Sequence, residues 1–421
     1  MRGVKFCGWG VLILGLMAGA APARQSAAPA HGRERIGSWG PGAWSWFADP
    51  RAVQVGDQTF VGWIDWQGRI TVGQYDPDRR ARVKFRYAVG RLRRDDHSSP
   101  SILVRPDRRL TVFWSGHGGS AIYYRTTARP AEIHSWGPVH QVPRLTRWWL
   151  GFTYPTPVSL ASERKLYLFY RGAKWGIDYS TLRWGGRWTR DRTLVSNPGQ
   201  RPYVKLTSNN RDEIAFAFNQ AHPRDQLTNV YYMAYRKGWL RHADGKAIRR
   251  LSRGPASPRD ADLVYDARRT GAPSWVWDIA LRPDGRPVIT YATFPADGRH
   301  LYWYATWTGH RWLSHFLTVA GPSISPDTIE FEYVGGIVID HADPATVYLS
   351  RKVRGWFEIE RWTTRDGGFH WRHTVVVRTP GQDDIRPFFT EGSRGGPMSL
   401  LWLAGGYGSY TTYRTSVDYL R

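Results

Sequence analysis

The sequence has almost no cysteine. Cys7 is the one cysteine among 421 residues, and it lies in the opening stretch MRGVKFCGWGVLILGLMAGAAPA. That stretch has the basic start, apolar centre and small-residue end of a secretory signal peptide. Removal of residues 1–24 leaves a mature chain without cysteine, which excludes disulfides and thiolate metal sites. We therefore expect a secreted or periplasmic protein that is stabilised by packing alone.

Long hydrophobic runs and helical patterns are also missing. The apolar run over residues 7–20 is shorter than the ~20 residues that cross a bilayer as a helix, and no second candidate follows, so we expect no membrane span. No window of about 12 residues keeps apolar side chains at helical spacing without interruption. The sequence divides into a signal peptide at 1–24, a flexible linker at 25–39 and one all-β domain at 40–421.

Negative charge is scarce. There are 35 acidic residues against 59 Lys and Arg, which gives a formal charge of +24. A surface this basic attracts polyanions. No nucleic-acid motif is present, so an exported protein of this kind is expected to bind acidic polysaccharide and no nucleic acid. The alternative interpretation is a solvated basic surface without a partner.

Aromatic residues are abundant instead, with 23 Trp, 22 Tyr and 16 Phe. They recur in a repeated theme of short strands and Gly/Asp turns, as in TFVGWIDWQGRITVGQYD and KLYLFYRGAKWGIDYSTLRWGGRW, with a period of about 40 to 55 residues. Seven strand clusters can be counted, near 43–77, 96–140, 154–196, 200–250, 274–318, 330–378 and 385–421. The count predicts a single-domain seven-bladed β-propeller.

One turn carries a structural motif. TTRDGGFHW places Thr364, Asp366, Gly368 and Trp371 at the spacing of an Asp-box. In such a hairpin turn the acid accepts hydrogen bonds from backbone amides and the tryptophan packs between strands. The motif supports a propeller and says nothing about chemistry.

Four polar residues stand at the ends of predicted hairpins. His97 in DDHSSPSI and His117 in FWSGHGG flank one hairpin, and Tyr154 in GFTYPTPV and Arg171 in YLFYRG flank the next. The two ends of an antiparallel hairpin lie on the same side of a sheet, so neighbouring blades would present all four at one face. Taken singly, each has a structural alternative: solvated histidines, a tyrosine that caps the core, and an arginine paired with Asp178.

These stretches, together with FADPRAV, RPYVKL and WVWDIALRPDGRP, resemble the BNR-4 group of seven-bladed propellers. That group includes propeller-type ulvan lyases and rhamnose–glucuronate lyases. The resemblance spans nearly the whole mature chain. It implies a polysaccharide lyase that acts on a rhamnosyl-glucuronate linkage of plant-gum or ulvan type.

The resemblance also implies roles for individual residues. His97 and His117 match the active-site histidines, Tyr154 the catalytic tyrosine and Arg171 the carboxylate-binding arginine. Tyr203 matches a substrate-contacting residue, and the same matched stretches add three predicted substrate-binding residues: Arg201, Lys205 and Trp277. Some relatives hold a structural metal with histidine and cysteine; this chain retains only His222 of such a set, so no metal or other cofactor is expected.

These residue types suit β-elimination next to glucuronate. Arg171 offers a permanently charged fork for the C6 carboxylate, a histidine can act as base near neutrality, and Tyr154 can protonate the leaving oxygen. The division of acid and base among His97, His117 and Tyr154 stays open, as does endo or exo action. Asp95 or Asp96 could orient His97, or simply bond the backbone of their own turn.

Two other functions compete with a lyase. A glycoside hydrolase would need two carboxyl groups across the bond, for which Asp95, Asp96 and Asp278 are the candidates, although their spacing forms no recognisable pair. A non-catalytic glycan-binding propeller would use the aromatic side chains alone, and the fold cannot separate it from an enzyme. In each case we expect a monomer whose partner is a glucuronate-containing polysaccharide or oligosaccharide.

Overall fold

The computed structural model describes residues 36–77, 83–143, 151–172, 174–326 and 330–421, which form seven antiparallel sheets. Each sheet is one blade, and the first strands of most successive blades pack against one another around the centre. The predicted all-β, seven-bladed propeller is therefore confirmed. The predicted signal peptide and residues 25–35 of the predicted linker lie outside the described residues.

Strands follow chain order within blades 1 to 3. They are β2 (Ala52–Val55), β3 (Gln58–Ile64), β4 (Arg69–Asp76) and β5 (Val83–Arg91); β6 (Ser101–Val104), β7 (Leu110–Ser115), β8 (Ile122–Thr126) and β9 (His140–Gln141); β10 (Thr153–Leu160), β11 (Lys165–Arg171), β12 (Ile177–Arg183) and β13 (Arg192–Val195).

Blade 4 has additional outer strands, whereas blades 5 and 6 have four strands each. They are β14 (Tyr203–Ser208), β15 (Glu213–Asn219), β16 (Val230–Arg236), β17 (Trp239–Arg241), β18 (Ala247–Arg250) and β19 (Asp262–Tyr265); β20 (Ser274–Leu281), β21 (Pro287–Thr293), β22 (His300–Trp307) and β23 (Trp312–Gly321); β24 (Ile337–Ile339), β25 (Thr346–Val353), β26 (Trp356–Thr363) and β27 (Arg372–Val377).

Blade 7 joins the two ends of the described chain. It contains β28 (Asp384–Phe389), β29 (Leu400–Tyr407), β30 (Tyr413–Leu420) and, at its outer edge, β1 (Ile36–Pro41). In the β1–β30 ladder Ile36 lies opposite Leu420. Residues 36–39, which the sequence assigns to the linker, thus belong to a strand that closes the ring.

In the described residues, helical structure occurs in short turns. They include α1 (Ala267–Thr270) and the 3₁₀ turns Asp96–Ser98, Ala161–Glu163, Leu251–Arg253 and Pro258–Asp260. No helix in the described part of the chain is long and apolar enough to span a membrane.

Most strands are apolar on both faces because neighbouring blades stack face to face. Between blades 1 and 2, Val72 and Val112 share a core with Trp114. Gly90 is required there, since a Cβ at this position would lie 2.7 Å from the Trp114 ring. Large aromatic side chains fill the gaps between blades, because a close-packed interior leaves few voids and aromatic rings bury large areas.

The Asp-box turn lies between β26 and β27 and has the predicted bonding. The Asp366 carboxylate accepts from the His370 amide at 2.9 Å, and the Thr364 hydroxyl accepts from the Gly368 amide at 2.9 Å. The Trp371 ring meets Tyr304 of blade 5 edge-on at 5.2 Å. The motif is therefore structural.

The segment between β1 and β2 enters the central channel and blocks it. Trp46 stacks on Trp277 with ring centroids 4.8 Å apart, and Phe47 packs at 5.1 Å against both Tyr154 and Tyr203. We call residues 42–51 the channel plug. Its aromatic side chains form the floor of the face on which the candidate residues gather.

Candidate active site

Two loops of blade 2 bring His97 and His117 together. His97 lies in the 3₁₀ turn before β6, whose N-cap Asp95 accepts a hydrogen bond from the His97 amide at 2.9 Å. His117 lies in the loop between β7 and β8. The two imidazole rings stack with centroids 3.8 Å apart and planes 5° apart, which confirms the proximity predicted from the hairpin.

Two aspartates hold this pair. The His97 Nδ1 atom is 2.8 Å from Asp95 Oδ1 and 3.0 Å from Asp96 Oδ1, and His117 Nδ1 is 3.4 Å from Asp95 Oδ2. Asp96 is itself anchored, because its Oδ2 accepts from Arg386 Nη1 at 2.5 Å and from the Tyr407 hydroxyl at 2.6 Å. The acids of DDHSSPSI therefore orient histidines in addition to shaping a turn.

The shared aspartate gives the histidines different protonation states. Burial disfavours the charged form of His97, but Asp95 and Asp96 outweigh it and raise the His97 pKa to about 9. Partial desolvation and the adjacent His97 charge lower the pKa of His117 to about 4. Burial alone would raise the pKa of Asp95, yet the two histidines hold it well below its usual range. Near neutral pH the site thus contains a cationic His97 and a neutral His117.

Tyr154 and Arg171 come from the first hairpin of blade 3. Thr153 pairs with Arg171 in the β10–β11 ladder, which sets Arg171 Cζ 5.0 Å from the Tyr154 ring centroid. The Tyr154 ring lies 5.3 Å from His97, and its backbone has a positive φ of 61°, a conformation that non-glycine residues adopt rarely. Burial raises the Tyr154 pKa well above its ordinary value, so the phenol keeps its proton near neutral pH.

Arg171 forms no ion pair with an acidic side chain of the described residues. Its Nη1 donates to the Tyr203 hydroxyl at 3.2 Å and its Nη2 to the Thr153 hydroxyl at 3.1 Å, rather than to Asp178. The Arg171 Nε–H is buried and has no hydrogen-bond partner among the described residues. A buried guanidinium with an open donor is suited to accept an anionic ligand.

The four predicted substrate-binding residues separate into two groups. Tyr203 holds Arg171, and Arg201 lies nearby with its Cζ 5.3 Å from the Trp175 ring and Nη2 2.7 Å from Asp225. Lys205 and Trp277 contact the channel plug instead. Lys205 Nζ donates to the Trp46 carbonyl at 2.6 Å and to Asp49, and Trp277 is 3% exposed beneath Trp46.

The candidate hydrolase carboxylates do not form a pair across a common space. Asp95 and Asp96 are bonded to histidines and Arg386, and the pKa of Asp96 is also lowered, since Arg386 and His97 outweigh its burial. Asp278 accepts from the Ile339 amide at 2.8 Å and lines a cavity at the other mouth of the channel. None of the three is a carboxylic acid with a raised pKa, which glycoside hydrolysis requires.

The surroundings of His222 do not fit a metal. Its Nδ1 accepts from the Arg224 amide at 3.1 Å, and its Nε2 is 3.7 Å from Glu330. Burial, followed by the positive charges of Arg224 and Arg201, lowers its pKa to about 2. Nearby arginines oppose a cation. Among the described residues, one group of three His, Cys, Asp or Glu side chains has possible metal-ligand atoms that all lie within 4.8 Å of one another. It consists of Asp95, His97 and His117.

Tyr410 is a site residue that the sequence analysis missed. It lies in the loop between β29 and β30 and meets His97 and His117 edge-on, with centroids 5.0 and 5.3 Å away. Its carbonyl accepts from the Asp96 amide at 2.8 Å. One signal could have found it: the loop occupies the same place in blade 7 that the His117 loop occupies in blade 2.

The fold and this cluster define a propeller with one polar, aromatic-lined site at a mouth of its blocked channel. The chain belongs to the BNR repeat-containing family, whose model matches residues 58–319. No curated protein sequence matches the chain.

Three solved polysaccharide lyase structures resemble it. A PL25 ulvan lyase bound to -[GlcA(1-4)Rha3S]- has a TM-score of 0.68 and 15% identity over 91% of this chain and 93% of the lyase. A second structure of a PL25 ulvan lyase has a TM-score of 0.68 and 16% identity, with the same coverage. Polysaccharide lyase Uly1 has a TM-score of 0.58 and 10% identity over 88% and 89% of the two chains. At these identities the shared feature is the propeller fold.

Proposed function

We propose that the protein is a secreted polysaccharide lyase that cleaves the bond to a 4-linked glucuronate by β-elimination. The observation that carries the proposal is Arg171, a buried guanidinium beside the Tyr154 phenol. Among the described residues it has no acidic partner, and its Nε–H has no hydrogen-bond acceptor. The C5 proton of a uronate is hard to remove while its carboxylate keeps a full charge. An arginine fork that binds this carboxylate stabilises the enolate-like state that follows.

The protonation states favour one division of labour. His117 is neutral and lies at the solvent-exposed rim, and its Nδ1 faces Asp95, so its Nε2 can take the C5 proton. As the C5–H bond breaks, the C4=C5 double bond forms and the C4–O4 bond is lost. Tyr154 donates its proton to the departing O4. Cationic His97 adds positive charge next to Tyr154 and Arg171.

The choice of substrate draws on charge and on the related lyases. The formal charge of +24 favours an acidic polymer, and one solved lyase of this fold carries a glucuronate–rhamnose ligand. We infer a rhamnosyl-glucuronate linkage of plant-gum or ulvan type. The signal-like residues 1–24 support action outside the cytoplasm, in the periplasm or the medium.

The test is the ultraviolet absorbance of the conjugated uronate that elimination creates. Purified protein is incubated with ulvan, gum arabic and other glucuronate polymers, alongside His117→Ala and Tyr154→Phe. His370→Ala is the matched control, because His370 is an exposed histidine on the Asp-box turn, with 90% side-chain exposure. Absorbance in the wild type and control, but not in the two site variants, would support the proposal.

Two other outcomes would overturn it. New reducing ends without absorbance would mean hydrolysis. If the wild type binds a polymer but forms no product from it, and Tyr154→Phe binds that polymer equally well, the protein is a non-catalytic glycan-binding propeller.

A further inference from the structure

Trp66 is an exposed tryptophan next to the candidate site. It lies in the loop between β3 and β4, where its Nε1 donates to the Thr415 carbonyl at 3.0 Å, yet the residue remains 41% exposed. The bond fixes the indole, so a ligand that contacted it would lose little side-chain entropy. Among the tryptophans in the described residues, Trp66 and Trp356 are the two exposed ones.

The Trp66 loop is packed directly against the chain that leads to His97. The Leu92 amide donates to the Gly68 carbonyl at 2.8 Å. Gly68 has a φ of 77°, and a Cβ there would lie 2.0 Å from the Leu92 carbonyl oxygen. Arg94 follows, with its Cζ 5.9 Å from the Trp66 ring and 4.4 Å from the Tyr413 ring. The loop and the histidine turn are therefore parts of one surface.

Three depressions lie in that surface between the histidines and Trp66. The first, of about 510 Å³, lies against Arg93, Asp95, His117 and Tyr410. The second, of the same size, lies against Arg94 and the adjoining part of the β29–β30 loop. The third, of about 320 Å³, contains Trp66. We call this run, from Tyr410 to Trp66, the blade-1 groove.

The groove is basic. Arg93 and Arg414 are exposed along it. Arg69 lies in the third depression with 52% of its side chain exposed. The nearby acid Asp65 already pairs with Arg69 at 2.5 Å. An aromatic surface bordered by guanidinium groups suits a ligand that is apolar on its faces and anionic at its edge.

We propose that the blade-1 groove is a remote subsite, in which Trp66 and its neighbouring arginines bind a further acidic sugar of the chain that is cut at the histidines. This inference rests on the proposed function, because it takes the occupant to be the same polymer. A pyranose ring presents a C–H face to an indole, and a uronate carboxylate or a sulfate ester on it would meet Arg93 or Arg69. The groove would thus extend recognition beyond the sugars at the cleaved bond.

The test compares Trp66→Ala with Trp356→Ala on substrates of increasing length. Trp356 is a matched control, since it is 45% exposed and begins β26 on blade 6, away from the groove. Tetrasaccharides, hexasaccharides and octasaccharides of ulvan are the probes. We expect Trp66→Ala to raise KM about tenfold on the longest substrate, the effect of losing one ordinary contact, with kcat unchanged and short substrates unaffected. Trp356→Ala should match the wild type throughout.

A second readout does not need turnover. Migration of the full-length protein through gels that contain ulvan reports binding, and retardation should weaken in Trp66→Ala and not in Trp356→Ala. If no polymer is cleaved but this difference persists, the lyase proposal fails, and Trp66 belongs to a site that binds the acidic polymer without cleavage. If cleavage occurs and Trp66→Ala behaves as wild type in both measurements, or loses affinity equally for all lengths, the subsite is overturned.

Discussion

The imidazole rings of His97 and His117 lie parallel, 3.8 Å apart, and both direct Nδ1 at the Asp95 carboxylate. Two imidazolium ions in such contact would repel each other strongly. The arrangement is therefore stable when one ring is a cationic imidazolium and the other is a neutral imidazole. The buried ring is the cation because Asp96 supports it as well, and the exposed ring is left as the base.

This relationship predicts a bell-shaped pH profile for kcat/KM. The reactive form has His117 neutral and His97 protonated. Activity should rise as pH increases through about 4, where His117 loses its proton, and fall as pH increases through about 9, where His97 loses its own. Initial rates of absorbance change across this range measure both limbs. A single transition in activity near the ordinary histidine pKa of about 6.5, in place of two limbs near 4 and 9, would contradict the split.

Asp95→Asn should move the alkaline limb. The Asp95 carboxylate raises the His97 pKa, so its loss should bring that pKa down and shift the limb to lower pH. The effect on His117 is mixed, because losing the Asp95 charge lowers its pKa whereas losing the positive charge of His97 raises it. The acid limb therefore has no clear expected direction, and the alkaline limb is the readout. Asp366→Asn, on the distant Asp-box turn, is the control and should leave the profile unchanged.

Tyr154→Phe should abolish turnover while leaving binding intact. The phenol has the raised pKa of a buried proton donor, and general acids contribute about 10²–10⁴-fold to rates. Arg171→Ala should reduce both turnover and affinity, because the guanidinium faces the ligand in the ground state too. Steady-state kinetics measure turnover and calorimetry measures affinity, so the two together distinguish the Tyr154→Phe and Arg171→Ala variants. Equal losses of affinity in both variants would argue against a proton-donor role.

The sequence predicted those parts of the site that depend on local geometry. His97 with His117, and Tyr154 with Arg171, meet because each pair flanks one antiparallel hairpin, and hairpin ends can be inferred from strand and turn patterns. The seven blades followed from the repeat. The patterns of strands, turns and one Asp-box were sufficient to predict the propeller architecture.

Contacts between distant parts of the chain could not be inferred in this way. Lys205 follows Tyr203 by two residues and was predicted to bind substrate, but it contacts Trp46 of the plug, which lies 159 residues earlier in the chain. Arg386 lies under Asp96 from blade 7, and Tyr410 reaches the histidines across the ring closure. Each depends on how the first and last blades close, which no local pattern encodes.

Arg386→Met should destabilise the protein by about 3–5 kcal/mol, the usual cost of removing one partner of a buried ion pair. Arg386 and Asp96 are each 1% exposed, so the remaining carboxylate would be buried without its main counter-charge. Urea denaturation measures the loss in the free energy of unfolding. Adding Asp96→Asn should recover part of it. A loss below about 1 kcal/mol would mean that Tyr407 and His97 suffice to hold Asp96.

Lys205→Met should weaken folding and leave substrate affinity unchanged. The Lys205 ammonium is 4% exposed and bonds the Trp46 carbonyl and Asp49, so its loss should cost about 1.5–3 kcal/mol, the range for a hydrogen bond to a charged group. Arg201→Met is the matched comparison: Arg201 lies on the site face in a partly exposed pair with Asp225, and such pairs contribute about 0–1 kcal/mol. That variant should raise KM with little change in the unfolding free energy. If instead Lys205→Met raised KM at full stability, the lysine would face substrate and the plug would have to open during binding.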